Sequence, residues 1–157
     1  MKFNYKSITP VSQKLLINGH QNKEMGYILD SIIANGVNPL PDNRDGDIEN
    51  ISGVNVTHRF VKSAGESEKI EWHFVEAGQG EVLLLMHGIP QSWRMWMSIL
   101  PELSKYFRCI AIDLKGYGQS YKGRGDYRHE GVAEQVVGLL DELGIDKFSI
   151  FSHDRGT

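Results

Sequence analysis

The chain has 157 residues and a formal net charge of −3, with 40% hydrophobic and 24% charged residues. This balance lacks the basic surface of a nucleic-acid binder, so a small molecule is the expected partner. The longest apolar run of the core region, residues 82–86, is far shorter than the roughly 20 residues that a membrane span needs, so no membrane partner is expected.

The N-terminus carries lysines and polar residues where a secretory signal would be apolar, which favours a cytoplasmic location. Residues 1–55 are predicted to be a helical extension followed by a polar linker. The helix is predicted from apolar residues at helical spacing, and Gly36 would end it: Met25, Ile28, Leu29, Ile32 and Ile33. We expect this stripe to pack on the main domain, although a partner-binding arm is the alternative. Residues 39–50 are rich in Pro, Asn, Asp and Gly and do not match a calcium loop, because Pro41 would fall at its first ligand position.

From about residue 56 onward, predicted strands alternate with helices, which indicates an α/β fold. Residues 59–62 and 70–75 predict an antiparallel opening hairpin. Short apolar runs predict strands at 82–86, 109–112 and 148–151, the first of them central and covered on both faces. Helical spacing is seen in two places. Trp93, Trp96, Met97 and Leu100 indicate one helix, which Pro101 interrupts or restarts, and residues 132–143 indicate another that Gly144 ends. The single cysteine, Cys109, lies in an apolar strand and is predicted to be a buried thiol.

The segment after the last strand, Ser-His-Asp-Arg-Gly at 152–156, has the form of a nucleophile elbow, small-x-nucleophile-x-small. Asp154 stands at its centre, with Ser152 where glycine is more usual. The alternative is that these residues form a plain turn.

Two upstream segments favour the elbow. His-Gly-Ile-Pro at 87–90 follows the strand 82–86, where a hydrolase places its oxyanion loop, and Gly88 and Pro90 would shape that loop. The segment at 113–120, Asp-Leu-Lys-Gly-Tyr-Gly-Gln-Ser, follows the strand 109–112. It lacks the glycine and lysine spacing of a nucleotide-binding loop, so a structural role is predicted.

In this order, the three motifs resemble those of the α/β-hydrolase superfamily, and within it the group of haloacetate dehalogenases, haloalkane dehalogenases and epoxide hydrolases. The resemblance covers residues 58–157 and implies the N-terminal portion of that fold, a mostly parallel sheet with an antiparallel opening hairpin, cut after the nucleophile elbow. It divides the chain into an extension, 1–55, and the first half of a core domain, 56–157.

The resemblance also implies roles. Asp154 would attack a tetrahedral carbon and form an alkyl ester, and the backbone amides of Ile89 and Arg155 would form the oxyanion hole. The Arg155 side chain would bind the carboxylate of a small halogenated acid, as in haloacetate dehalogenases, unless it pairs with a structural carboxylate. Supporting positions lie on both loops: His87, Gly88, Pro90 and His153.

The catalytic acid and the water-activating histidine are expected after Thr157, since both follow the nucleophile along the chain in this fold. The 157-residue chain is therefore expected to lack multiple turnover and to fold poorly alone. An epoxide hydrolase is the second hypothesis, and a non-catalytic hydrolase-like binding protein is the third. No cofactor or metal is expected, because the remaining histidines lack ligand spacing: His20, His58, His73 and His129.

Overall fold

The computed structural model describes residues 43–64 and 69–156. The helix predicted around Met25 lies outside the described residues. Residues Pro41–Thr157 form one compact unit. No helix in the part of the chain that the structure describes has the length and apolar character to cross a membrane.

A six-stranded mixed sheet organises this unit, in the order β1-β2-β3-β5-β4-β6. The first three strands and β5 are joined by antiparallel pairing, whereas β4 lies parallel to both β5 and β6. The strands are β1 (Ile48–Ile51), β2 (Val54–Ala64), β3 (Lys69–Ala77), β4 (Val82–Met86), β5 (Arg108–Ile112) and β6 (Phe148–Ser152).

The predicted strands are all present, and β4 has the predicted bounds. β1 was not predicted, because its four residues follow a stretch of loop composition. The prediction of a polar loop over residues 39–50 is therefore wrong for residues 48–50, which belong to β1. Pairing with β2 makes this segment a strand, and the connecting turn has Ser52 and Gly53 at positive φ, 49° and 88°.

Helical segments lie between the parallel strands. A 3₁₀ turn, Trp93–Trp96, precedes the short helix α1 (Leu100–Leu103), and α2 (His129–Glu142) precedes β6. Pro101 occupies the first turn of α1, where its missing N–H leaves no intrahelical bond unmade. Gly144 follows α2 with φ of 65°, the left-handed conformation in which helices commonly end.

The sheet buries side chains on both faces, because alternate residues of a strand point to opposite sides. On one face Trp72, Phe74 and Leu84 pack against α2, which contributes Val136 and Leu139. On the other face the strands pack against the segment after β4 and bury several polar side chains besides apolar ones, among them His58, His73 and Asp113. Each fully buried apolar side chain contributes about 1.5–3 kcal/mol to folding. The two packed faces fix the carboxyl ends of β4, β5 and β6 beside one another.

Candidate active site

The sharp turn after β6 carries Asp154. Its φ is 55°, a left-handed conformation that residues with a side chain adopt only when their surroundings require it. The turn is tied to the neighbouring strand, since the His153 amide donates to the Met86 carbonyl at 3.1 Å. A Cβ at Gly156 would overlap that same carbonyl, which explains why a glycine stands there. Ser152 is paired with Met86 at the end of β6, and the turn forms although the usual glycine is absent.

The Asp154 carboxylate faces the loop that leaves β4. Its Oδ1 accepts the backbone N–H of Ile89 at 3.0 Å. Hydrogen bonds from the amides of Ile89 and then Arg155 hold the pKa of Asp154 below its ordinary value. A carboxylate with two amide donors on it is ionised at neutral pH. Gly88 lies so close to this carboxylate that a Cβ there would overlap Asp154. The structure thus brings Asp154 together with both amides of the predicted oxyanion hole.

His87 is buried beneath this loop and bonds only to backbone through its two ring nitrogens. Nε2 faces the N–H of Leu114 at 3.0 Å, so it must accept, and Nδ1 therefore carries the proton that is donated to the Gly88 carbonyl at 2.8 Å. Burial lowers the pKa of His87, which keeps the ring neutral. Both nitrogens are occupied, so this ring orients the loop and is not available as a base for water.

The loop has two further constraints. The Gly88 amide donates to the Gln91 side-chain oxygen at 3.0 Å, and the Gln91 amide donates back to the Gly88 carbonyl at 3.0 Å. The peptide bond between Ile89 and Pro90 is cis. Gln91 is a residue that sequence reasoning missed, although its position one residue after the tetrapeptide 87–90 was a signal that could have found it.

Among residues 43–64 and 69–156, no carboxylate pairs with the side chain of Arg155. Its guanidinium donates to the backbone carbonyl of Tyr127. Lys115 reaches the same segment, with Nζ 3.2 Å from the Asp126 carbonyl and 4.7 Å from the centre of the Tyr127 ring. Arg155 therefore supports the segment that precedes α2. His153 lies exposed beside Asp154.

A cavity of about 530 Å³ opens under the elbow, between β4, β6 and α2. Arg155 and Gly156 line it, together with core residues such as Leu84 and Val136, but Asp154 does not. This space is a gap in the apolar packing on the α2 face and does not contain the Asp154 carboxylate. No group of three or more His, Cys, Asp or Glu side chains within residues 43–64 and 69–156 is arranged to hold a metal ion.

The chain is similar to known proteins over its second half. Residues 81–157 match the sequence model of a family described as the alpha/beta hydrolase fold. A ligand-free structure of the epoxide hydrolase CorEH superimposes with a TM-score of 0.60 and 38% identity, over 64% of this chain and 34% of that one. The chain thus has the α/β-hydrolase fold over the matched residues, and the resemblance predicted from the three motifs is confirmed.

Within the superfamily, two kinds of enzyme are similar to this chain. The soluble epoxide hydrolase of Corynebacterium sp. (strain C12) is 42% identical over 84 residues, which are 54% of this chain and 29% of that protein. The fluoroacetate dehalogenase of Burkholderia sp. is 37% identical over 87 residues, 52% of this chain and 29% of that protein. The match thus spans less than a third of the length of either relative.

Proposed function

We propose that the protein is a hydrolase whose nucleophile is Asp154, attacking a tetrahedral carbon to form an alkyl ester. One observation carries this proposal: a carboxylate in left-handed backbone geometry, directly after a parallel strand, accepts the N–H of Ile89 from the loop after the adjacent strand. A structural aspartate needs neither the strained conformation nor contact with that loop.

The residue type suits the chemistry. A carboxylate is already anionic at neutral pH, and an oxygen of Asp154 would form the new bond to carbon while the carbon–halogen bond breaks and halide leaves with the electron pair. Oδ1 would remain as the ester carbonyl, still held by the Ile89 amide. Water attacking that carbonyl would place negative charge on Oδ1, where each positioned donor stabilises the transition state by about 3–4 kcal/mol in related acyl chemistry.

For the substrate, a small halogenated carboxylic acid is our first proposal. Arg155 follows the nucleophile directly, and a guanidinium can bind a carboxylate through two parallel hydrogen bonds. The similarity to a fluoroacetate dehalogenase supports this assignment.

An epoxide is the second candidate, and two observations favour it. The Corynebacterium relative named an epoxide hydrolase has the higher identity of the two, and the Arg155 guanidinium already donates to the Tyr127 carbonyl. In that reaction the carboxylate opens the ring, and the epoxide oxygen takes the electron pair and a proton.

Intact-protein mass spectrometry tests the proposal. The 157-residue chain is incubated with fluoroacetate and, separately, with styrene oxide. We expect a mass increase of one carboxymethyl group or of one whole epoxide, located at Asp154 by peptide mapping. The matched variants are Asp154→Asn, which should abolish the adduct, and Asp141→Asn on the exposed side of α2, which should retain it.

Fluoride released in the incubation with fluoroacetate measures the number of turnovers. Both nitrogens of His87 are engaged with backbone, so we expect about one equivalent of fluoride per chain and an ester that persists. Sustained fluoride release would contradict this expectation of a single turnover. Absence of an adduct with both reagents, in a chain shown to be folded by its fluorescence, would leave the binding-protein hypothesis instead.

A further inference from the structure

A chain of four polar side chains crosses the buried face of the sheet opposite α2. His73 Nδ1 lies 2.6 Å from Asp113 Oδ2, His73 Nε2 lies 2.9 Å from His58 Nδ1, and His58 Nε2 lies 3.3 Å from Glu49 Oε2. Both imidazole rings are fully buried. No sequence pattern indicates this arrangement, because the histidines are 15 residues apart and meet only through the pairing of β2 with β3.

Counting protons shows that two neutral histidines cannot make these contacts. Each of the three contacts needs one hydrogen between its two heavy atoms, and the carboxylates can only accept. Three protons must therefore be distributed over four ring nitrogens, whereas two neutral imidazoles carry two in all. With only two protons, one of the three contacts would lack its hydrogen, and two acceptors would face each other, lone pair against lone pair.

Both carboxylates are ionised, so neither supplies the missing proton. The bidentate hydrogen bond from Arg94, at 2.9 Å to each oxygen, is the main cause that holds the pKa of Glu49 below its ordinary value. For Asp113, burial raises the pKa, but hydrogen bonds from His73 and from the amides of Gln119 and Trp93 outweigh it and keep the pKa low.

The surroundings indicate which ring holds the third proton. Asp113 is almost completely buried, whereas the Glu49 side chain is 29% exposed and already neutralised by Arg94. The ring next to Asp113 therefore has the stronger and less screened counter-charge. Burial lowers the pKa of His58, and neighbouring His73 and Arg94 lower it further, against the opposing effect of Glu49. The remaining neighbours are uncharged rings, Trp93 edge-on to His58 and Phe60 beside His73.

We propose that His73 is an imidazolium at neutral pH, donating to Asp113 and to His58, and that His58 is the neutral Nε2–H tautomer donating to Glu49. The four charges of Glu49, Arg94, His73 and Asp113 then balance. The pair acts as a positioning device, because Asp113 Oδ1 in turn accepts the Trp93 amide at 2.8 Å and fixes the start of the helical turn that follows the 87–90 loop. This inference does not depend on the proposed reaction.

Ring-nitrogen NMR of the full chain, labelled with ¹⁵N-histidine, tests the proton positions directly. Long-range ¹H–¹⁵N correlations at neutral pH should show both nitrogens of His73 protonated, and in His58 a protonated Nε2 with a bare Nδ1. The variants His58→Gln and His73→Gln assign the signals. A spectrum with two neutral rings, or with the imidazolium at His58, would overturn the proposal.

Removing one carboxylate tests the proton count. Glu49→Gln allows the new amide to donate to His58 Nε2, so all contacts are satisfied with two ring protons and His73 should become neutral at the same pH. The matched control is Glu71→Gln on β3, an exposed carboxylate paired with Lys62, which should leave the spectrum unchanged. An imidazolium that persists in Glu49→Gln would contradict the counting argument. Should that variant unfold, the wild-type spectrum decides alone.

Discussion

Replacing Asp113 by asparagine measures how much the buried polar chain stabilises the fold. Three donors converge on the Asp113 carboxylate: the Trp93 amide on Oδ1 at 2.8 Å, and His73 Nδ1 and the Gln119 amide on Oδ2, at 2.6 and 2.9 Å. Asparagine has one acceptor oxygen, so its NH₂ group must face at least one of these donors. An unpaired buried donor costs about 1–3 kcal/mol, and breaking a buried charge pair typically costs about 3–5 kcal/mol in total.

We therefore expect Asp113→Asn to lower the free energy of unfolding by about 3–5 kcal/mol, a large part of the roughly 5–15 kcal/mol typical of a domain. Urea unfolding followed by tryptophan fluorescence measures it, since the tryptophans are buried. The control Asp141→Asn, which makes the same chemical change on an exposed surface, should stay within about 0.5 kcal/mol. A loss for Asp113→Asn no larger than that of the control would refute the reasoning.

The pH dependence of this difference has a defined sign. The pKa of Asp113 in the folded state lies below its ordinary value of 3.8, so the carboxylate stabilises the fold fully above pH 3.8. Its contribution is lost only as the pH falls from 3.8 through the lower folded-state pKa. The gap between wild type and Asp113→Asn should accordingly not narrow as the pH falls from neutral to 3.8, and a gap that closes well above pH 3.8 would contradict the assignment.

Three further predictions concern Gly88, Asp154 and Cys109. Gly88→Ala should slow adduct formation at Asp154 about 100-fold, because the added methyl group displaces the carboxylate from the Ile89 amide. An unchanged rate of adduct formation would argue against a role for this contact. Since the Ile89 and Arg155 amides lower the pKa of Asp154, the first-turnover rate of fluoride release should fall to half its neutral-pH value only below pH 3.8. A midpoint above pH 3.8 would count against ionisation by these amides. Burial raises the pKa of Cys109 to about 11. Its thiol should therefore resist a disulfide reagent at mildly alkaline pH in the folded chain and react once urea unfolds the chain. Rapid reaction of the folded chain would show that the thiol is accessible.

Much of the sheet was predictable, because short apolar runs between turn residues define buried strands without reference to the rest of the chain. The run at 82–86 became β4 with the same bounds, and Gly144 ended α2 as its conformational freedom predicts. The segment from Trp93 was less determined. Trp93 and Trp96 are three residues apart, a spacing that places side chains on one face of a 3₁₀ turn as well as of an α-helix.

The candidate site was also predictable only in part. The elbow and the loop at 87–90 could be found from the sequence, because backbone strain restricts the residue types at those positions. The partnership of His58 and His73 could not, since a shift of one residue in the pairing of β2 with β3 would turn one ring to the opposite face. The engagement of Arg155 with a backbone carbonyl was equally hidden, because no local pattern specifies where a long flexible side chain ends.

The place of β6 in the sheet has a consequence for the surroundings of Asp154. β6 is the outermost strand of the described sheet, pairs with β4, and carries three apolar side chains that are 38–55% exposed: Phe148, Ile150 and Phe151. Asp154 follows it after a single residue. Any segment that adds to this edge in register also arrives beside the carboxylate. Growth of the sheet and delivery of new groups to Asp154 would then be one and the same assembly step.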